Sequence, residues 1–137
     1  MKKITFALML LMFAIMSNAQ NADYKVVFDF TSKDTVNQQT LLREMSLIKQ
    51  YNPDAKLEAV IYGQGLSLVT NGVSNRAEEV ARLSSLKDVS FKVCAMSMKR
   101  QNINESQLLS GVGIVPDGIY EIISKQRDGW GYIKIAH

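Results

Sequence analysis

The chain holds a single histidine, His137 at its last position, and a single cysteine, Cys94. A hydroxyl or thiol nucleophile activated by an internal imidazole is therefore disfavoured, since a terminal residue is a poor orienting base. A structural zinc site needs about four Cys or His ligands, which the chain cannot supply. One cysteine also excludes any disulfide within the chain. No stretch gathers the five or more Lys and Arg residues that would mark a nucleic-acid surface. No G-x-x-x-x-G-K-[ST] loop is present to cradle a nucleotide phosphate.

The longest apolar run, Ile4 to Met16, is shorter than the roughly 20 residues a membrane span requires. Met1-Lys2-Lys3 precede it and Ser17-Asn18-Ala19 follow it. A positive start, a short apolar centre and a small-x-small exit are the parts of a secretory signal peptide, with cleavage expected after Ala19. No cysteine follows the expected cut, so a lipid anchor at the new N-terminus has no attachment point. Loss of 19 residues from 137 leaves 118, a length that suits one domain with a modest core. Lys2 and Lys3 leave as well, so Lys+Arg falls from 16 to 14 against 13 Asp+Glu, a net charge of about +1. The expected product, residues 20–137, is periplasmic or secreted and free of the membrane once cut.

What is present alternates between two periods. Tyr24–Phe30, Leu57–Tyr62 and Asp88–Val93 are rich in β-branched and aromatic residues and read as strands, the third ending at Cys94. Gly113–Val115 reads as a short buried strand and Trp130–Ile135 as a final one. Leu41, Leu42, Met45 and Ile48 share a helical face. That helix starts at Asp34 or Thr35 and stops before Asn52-Pro53. A second helix is expected over Asn75–Leu86, with Ala77, Val80, Ala81 and Leu83 inward. Glu105–Leu109 suggests a helical turn. Pro116-Asp117-Gly118 opens a helix over Ile119–Arg127, which Gly129 ends. Repeated βα units predict an α/β domain with a mostly parallel sheet of about five strands and helices on both faces.

Cys94 stands where a strand ends, the edge at which open parallel sheets collect ligands. A thiol there can meet backbone amides that favour the thiolate, with Lys92, Lys99 and Arg100 nearby in sequence. Two readings stay open: a nucleophilic or sulfur-carrying thiol, and a small buried apolar residue. Asp29 lies between Phe28 and Phe30 near the end of the first strand, where a carboxylate either lines the same crevice or bonds a neighbouring loop. Gly63-Gln64-Gly65 follows the second strand as a dinucleotide fingerprint would. Leu68 occupies the third glycine position, however, so the segment reads as a tight turn. Met96 and Met98 read as packing or subunit contacts.

Taken in order, YKVVFD (24–29), LEAVIYGQGL (57–66), VSFKVCAMSM (89–98), GVGIVPDG (111–118) and QRDGWGYIK (126–134) resemble the DsrE/DsrF-like family of sulfur-relay proteins. The resemblance implies a three-layer flavodoxin-like sandwich and a homo-oligomer, trimeric or hexameric. It implies sulfur passed as a persulfide on a cysteine, by position Cys94, with no cofactor. Asp29, Gly63 and Gly65 would border the ligand site, and a sulfur donor or acceptor protein would be the partner. One position departs: many relatives carry His where Tyr62 stands, so no role of an imidazole carries over. The known relays are cytoplasmic, so an exported member needs a different donor and acceptor. The alternative is an oligomeric binding or structural module with Cys94 inside.

Overall fold

The computed structural model describes residues 23–136, so the expected signal peptide lies outside the described residues. Five strands form one sheet: β1 (Lys25–Phe30), β2 (Lys56–Ile61), β3 (Val89–Cys94), β4 (Val112–Val115) and β5 (Gly131–Ile135). Their order is β4-β3-β2-β1-β5, and every neighbouring pair is parallel. The helices are α1 (Thr35–Tyr51), α2 (Ala77–Ser84), α3 (Ala95–Arg100) and α4 (Gly118–Arg127). This is the α/β architecture that the alternating periods predict.

The two faces of the sheet are covered unequally. On one face Phe28 and Phe30 of β1, Leu57, Ala59 and Ile61 of β2, and Phe91 and Val93 of β3 meet Leu41, Leu42 and Met45 of α1 and Val80 and Leu83 of α2. Nearly all of the core lies there. On the other face Val27 and Val60 pack with Ile122 of α4, bordered by Tyr62 and Trp130. The alternation of strand residues sends Asp29, Tyr62 and Cys94 toward this thinner cover.

Local chemistry sets the boundaries. Asp34 caps α1 by accepting from the Val36 and Asn37 amides, and Asp117 caps α4 by accepting from Ile119 and Tyr120. Gly129 adopts φ +81° after α4, the left-handed stop that glycine permits. Between β2 and α2 a 3-10 turn spans Gly63–Leu68. A Cβ at Gly65 would lie 2.8 Å from the Phe30 carbonyl oxygen, so only glycine lets this turn close onto the end of β1.

Two expectations are corrected, and one short helix is added to them. α2 is shorter than Asn75–Leu86, and Ala81 faces solvent because the inward stripe narrows to Val80 and Leu83. Residues 95–100 form a helix, α3, which six residues are too few to signal by period. β4 is not a buried strand: it lies at the sheet edge with Ile114 exposed. The Lys92 side chain lies across it, where a Cβ on Gly113 would come within 2.7 Å of Nζ.

Candidate functional site

Cys94 is the last residue of β3 and the residue preceding α3. It occupies the N-cap position, with the Met96 and Ser97 amides ahead of it, though none closes a cap hydrogen bond to Sγ. The first residue of α4 approaches from above. A Cβ on Gly118 would sit 3.2 Å from Cys94 Cβ, 3.2 Å from Val60 Cγ1 and 3.5 Å from Tyr62 Cδ1. Glycine at the start of α4 thus brings its own amide down to the thiol.

Burial pushes the Cys94 thiol up, but other groups outweigh it. The amides of Gly118, Ser97 and Met96 and the Ser97 hydroxyl together hold the thiol below its ordinary range. The residue is only 6% exposed, yet it is not sealed. It lines a cavity of about 110 Å³ with Tyr62, Met96, Ser97, Arg100, Asp117 and Ile119. Met96, Arg100 and Ile119 are exposed, so the mouth is half apolar and carries one guanidinium.

Asp29 is 5% exposed, two strands away from Cys94. Its Oδ2 accepts from the Tyr132 hydroxyl at 2.7 Å and from Lys134 Nζ at 3.0 Å. Its Oδ1 is buried with no hydrogen-bond partner. Tyr62, just past the end of the strand between them, lines the cavity with Cys94. Burial first, then the Asp29 carboxylate, pushes the Tyr62 phenol up to about 12. Tyr132 also rises to about 12, through its bond to Asp29 first. Both phenols are neutral donors across the physiological range. These residues therefore share one face of the sheet: Cys94 on β3, Tyr62 after β2, Asp29 on β1 and Lys134 on β5 toward its carboxyl edge, with Tyr132 further back on β5.

The two glycines stand differently. Gly63 has φ +57°, and its amide donates to Ser97 Oγ at 3.0 Å, fixing the side chain that faces the thiol. Gly65 does not line the cavity; it closes onto Phe30. Sequence reasoning missed Ser97 and the Gly118 amide. A serine three residues past a strand-end cysteine is the only local sign of the first. The second depends on where α4 lands and has no local sign.

Larger hollows of about 300 and 350 Å³ lie at the start of α2 and the end of α1. Neither is lined by Cys94, Tyr62, Tyr132 or Glu121, the groups whose acidity is displaced. Among the described residues, no group of three His, Cys, Asp or Glu converges as a metal site, and no helix is long and apolar enough to cross a membrane.

A family profile described as the DsrE/DsrF-like family matches residues 9–135. The chain belongs to that family. Among solved structures, it is similar to MTH1491, a protein of unknown function from Methanobacterium thermoautotrophicum. The two share 26% identity and a TM-score of 0.77, over 82% of this chain and 99% of that one. The ychN protein of E. coli gives 14% identity and a TM-score of 0.70, over 82% and 98%. BT1422 of Bacteroides thetaiotaomicron, a conserved protein of unknown function, gives 13% and 0.60, over 85% and 99%. At these last two identities the likeness is one of fold alone. No curated protein matches the chain.

Proposed function

We propose that this DsrE/DsrF-like protein is an exported sulfur carrier that holds a sulfane sulfur as a persulfide on Cys94. The observation that carries the reading is a cysteine whose pKa is held below its ordinary range by the Gly118, Ser97 and Met96 amides, beside a cavity with exposed residues at its mouth. A thiolate, not a thiol, attacks a sulfur donor, so this environment favours the first step. The step is an exchange. The Cys94 thiolate attacks the outer sulfur of a donor such as thiosulfate and a new S–S bond forms. The donor's own sulfur–sulfur bond breaks, and sulfite leaves with the electron pair. A partner thiol then removes the sulfur by the same exchange, and no cofactor is consumed.

Support for export is the Met1–Ala19 pattern, and support for a homo-oligomer is apolar surface left open on the α4 side, where Ile119, Tyr120 and Ile123 are exposed. Asp29 and Gly63 border the site in this reading, one through Tyr62 and the other through Ser97. Gly65 shapes the turn beneath it.

One measurement tests both halves. Intact mass of protein recovered from the producing cell is expected to begin at Gln20. After thiosulfate or polysulfide it is expected to gain about 32 Da, one sulfur atom. A Cys94→Ser variant is expected to gain nothing. If no donor loads the wild type, the carrier reading fails and the oligomeric module with an inert thiol takes its place.

A further inference from the structure

The Cys94 site has an inner wall that the carrier reading leaves unused. Tyr62 lines the cavity, and its ring is confined where Gly118 meets Cys94 and Val60. Behind it stands Asp29, with Oδ2 taken by Tyr132 and Lys134 and Oδ1 buried without a partner. A buried carboxylate oxygen left unpaired is costly, and the Tyr62 hydroxyl is the proton that this carboxylate influences most directly at the site.

We propose that Tyr62 is the second chemical group of the site: its phenol donates to the outer sulfur of a loaded Cys94, and Asp29 is the positioning residue that holds it there. The inference rests on Cys94 carrying sulfur. The outer sulfur lies about 2 Å beyond Sγ, a reach that the cavity accommodates. It carries the negative charge of the persulfide and needs donors. Arg100 supplies one from the exposed rim, whereas Tyr62 supplies one from the confined wall. With Cys94 empty, Asp29 Oδ1 has no partner, so the carboxylate acts on the hydroxyl through its charge, and the hydroxyl is free to turn to sulfur when Cys94 is loaded. Tyr132 and Lys134 keep the carboxylate in place. Tyr62 does not ionise in the neutral range, so it faces a persulfide anion as a donor and never as a second anion.

The test compares wild type with Tyr62→Phe and Asp29→Asn. Each is loaded with polysulfide and then exposed to dithiothreitol, and retained sulfur is followed by intact mass. Tyr62→Phe is expected to lose its sulfur about tenfold faster, the size of one hydrogen bond to a charged group. Alkylation of its empty Cys94 by iodoacetamide is expected within about twofold of wild type, since thiolate character comes from the amides. Asp29→Asn is expected to show part of the same loss. In ¹³C-tyrosine NMR, assigned with Tyr62→Phe and Tyr132→Phe, it is also expected to lower the Tyr62 midpoint from about 12. Burial keeps that shift from being complete. Loaded variants that hold sulfur like the wild type overturn the role of Tyr62. A Tyr62 midpoint unmoved in Asp29→Asn overturns that of Asp29, even where Cys94 loads. A wild type that no donor loads overturns this inference together with the reading beneath it.

Discussion

Ser97 serves two neighbours at once. Its hydroxyl accepts from the Gly63 amide at 3.0 Å and, with the Ser97 amide, draws down the pKa of Cys94. Ser97→Ala is therefore expected to shift the pH midpoint of Cys94 alkylation upward. The wild-type midpoint lies below that of an ordinary thiol. The sign for stability follows: an acid whose folded pKa is depressed stabilises above its unfolded value, and that contribution is lost as pH falls through the folded value. Urea unfolding of wild type against Cys94→Ser is expected to show the advantage of wild type growing from neutral to alkaline pH. Tyr62 and Tyr132 act in the opposite sense. Their raised values stabilise below about 10 and lose that effect as pH climbs toward about 12. At this scale the sequence is least legible. Cys94 and Asp29 stand out by position, but Tyr132 lies 103 residues from its acceptor Asp29, and no local pattern announces such a pair.

At the scale of elements, the turn Gly63–Leu68 decides how closely β2 returns to β1. A Cβ at position 65 meets the Phe30 carbonyl oxygen at 2.8 Å, a backbone atom that cannot step aside cheaply. Gly65→Ala is expected to destabilise by about 1–3 kcal/mol, measured by urea unfolding, with the loss expressed as overpacking. β1 and β2 were readable because their central residues are buried on both faces, and β3 because Val89, Phe91 and Val93 alternate with half-buried Ser90 and Lys92. α1 was readable to its boundaries, because Asp34 and Asn52-Pro53 mark both ends. α3 was not, since it consists of little more than the turn that follows Cys94. β4 misled because Val112, Ile114 and Val115 look like core residues, whereas their place at the sheet edge is a property of strand order.

For the whole molecule, the main asymmetry is between the two sides of the sheet. Among the described residues α1 and α2 cover one side and α4 alone spans the other, leaving Ile119 57% and Tyr120 66% exposed, with Ile123 and Tyr132 also exposed on that side. Val36, Leu47 and Tyr51 of α1 are exposed as well, but an apolar patch over the thinner cover is the kind of surface that marks an association face. The proposed homo-oligomer is expected to dissociate in sedimentation velocity when Tyr120 and Ile123 are changed to Glu and Lys. The far-ultraviolet circular dichroism is expected to stay unchanged. A wild type that sediments as a monomer at all concentrations removes the oligomer from the proposal. The alternating βα rhythm made the class of fold legible, but nothing in it says that one cover is thinner, since that depends on which way each crossover passes.

The route of α4 has a consequence in time as well as in space. It leaves β4 at one margin of the sheet and delivers the chain to β5 at the other, pairing segments near opposite ends of the chain. Contacts so distant in sequence close slowly, because a long loop must be ordered before they reward it. Gly118, whose amide helps to draw the proton off Cys94, belongs to this last-made stretch. During synthesis Cys94 emerges before Gly118, so a nascent chain that stops short of Gly118 is expected to carry a thiol without the help of that amide.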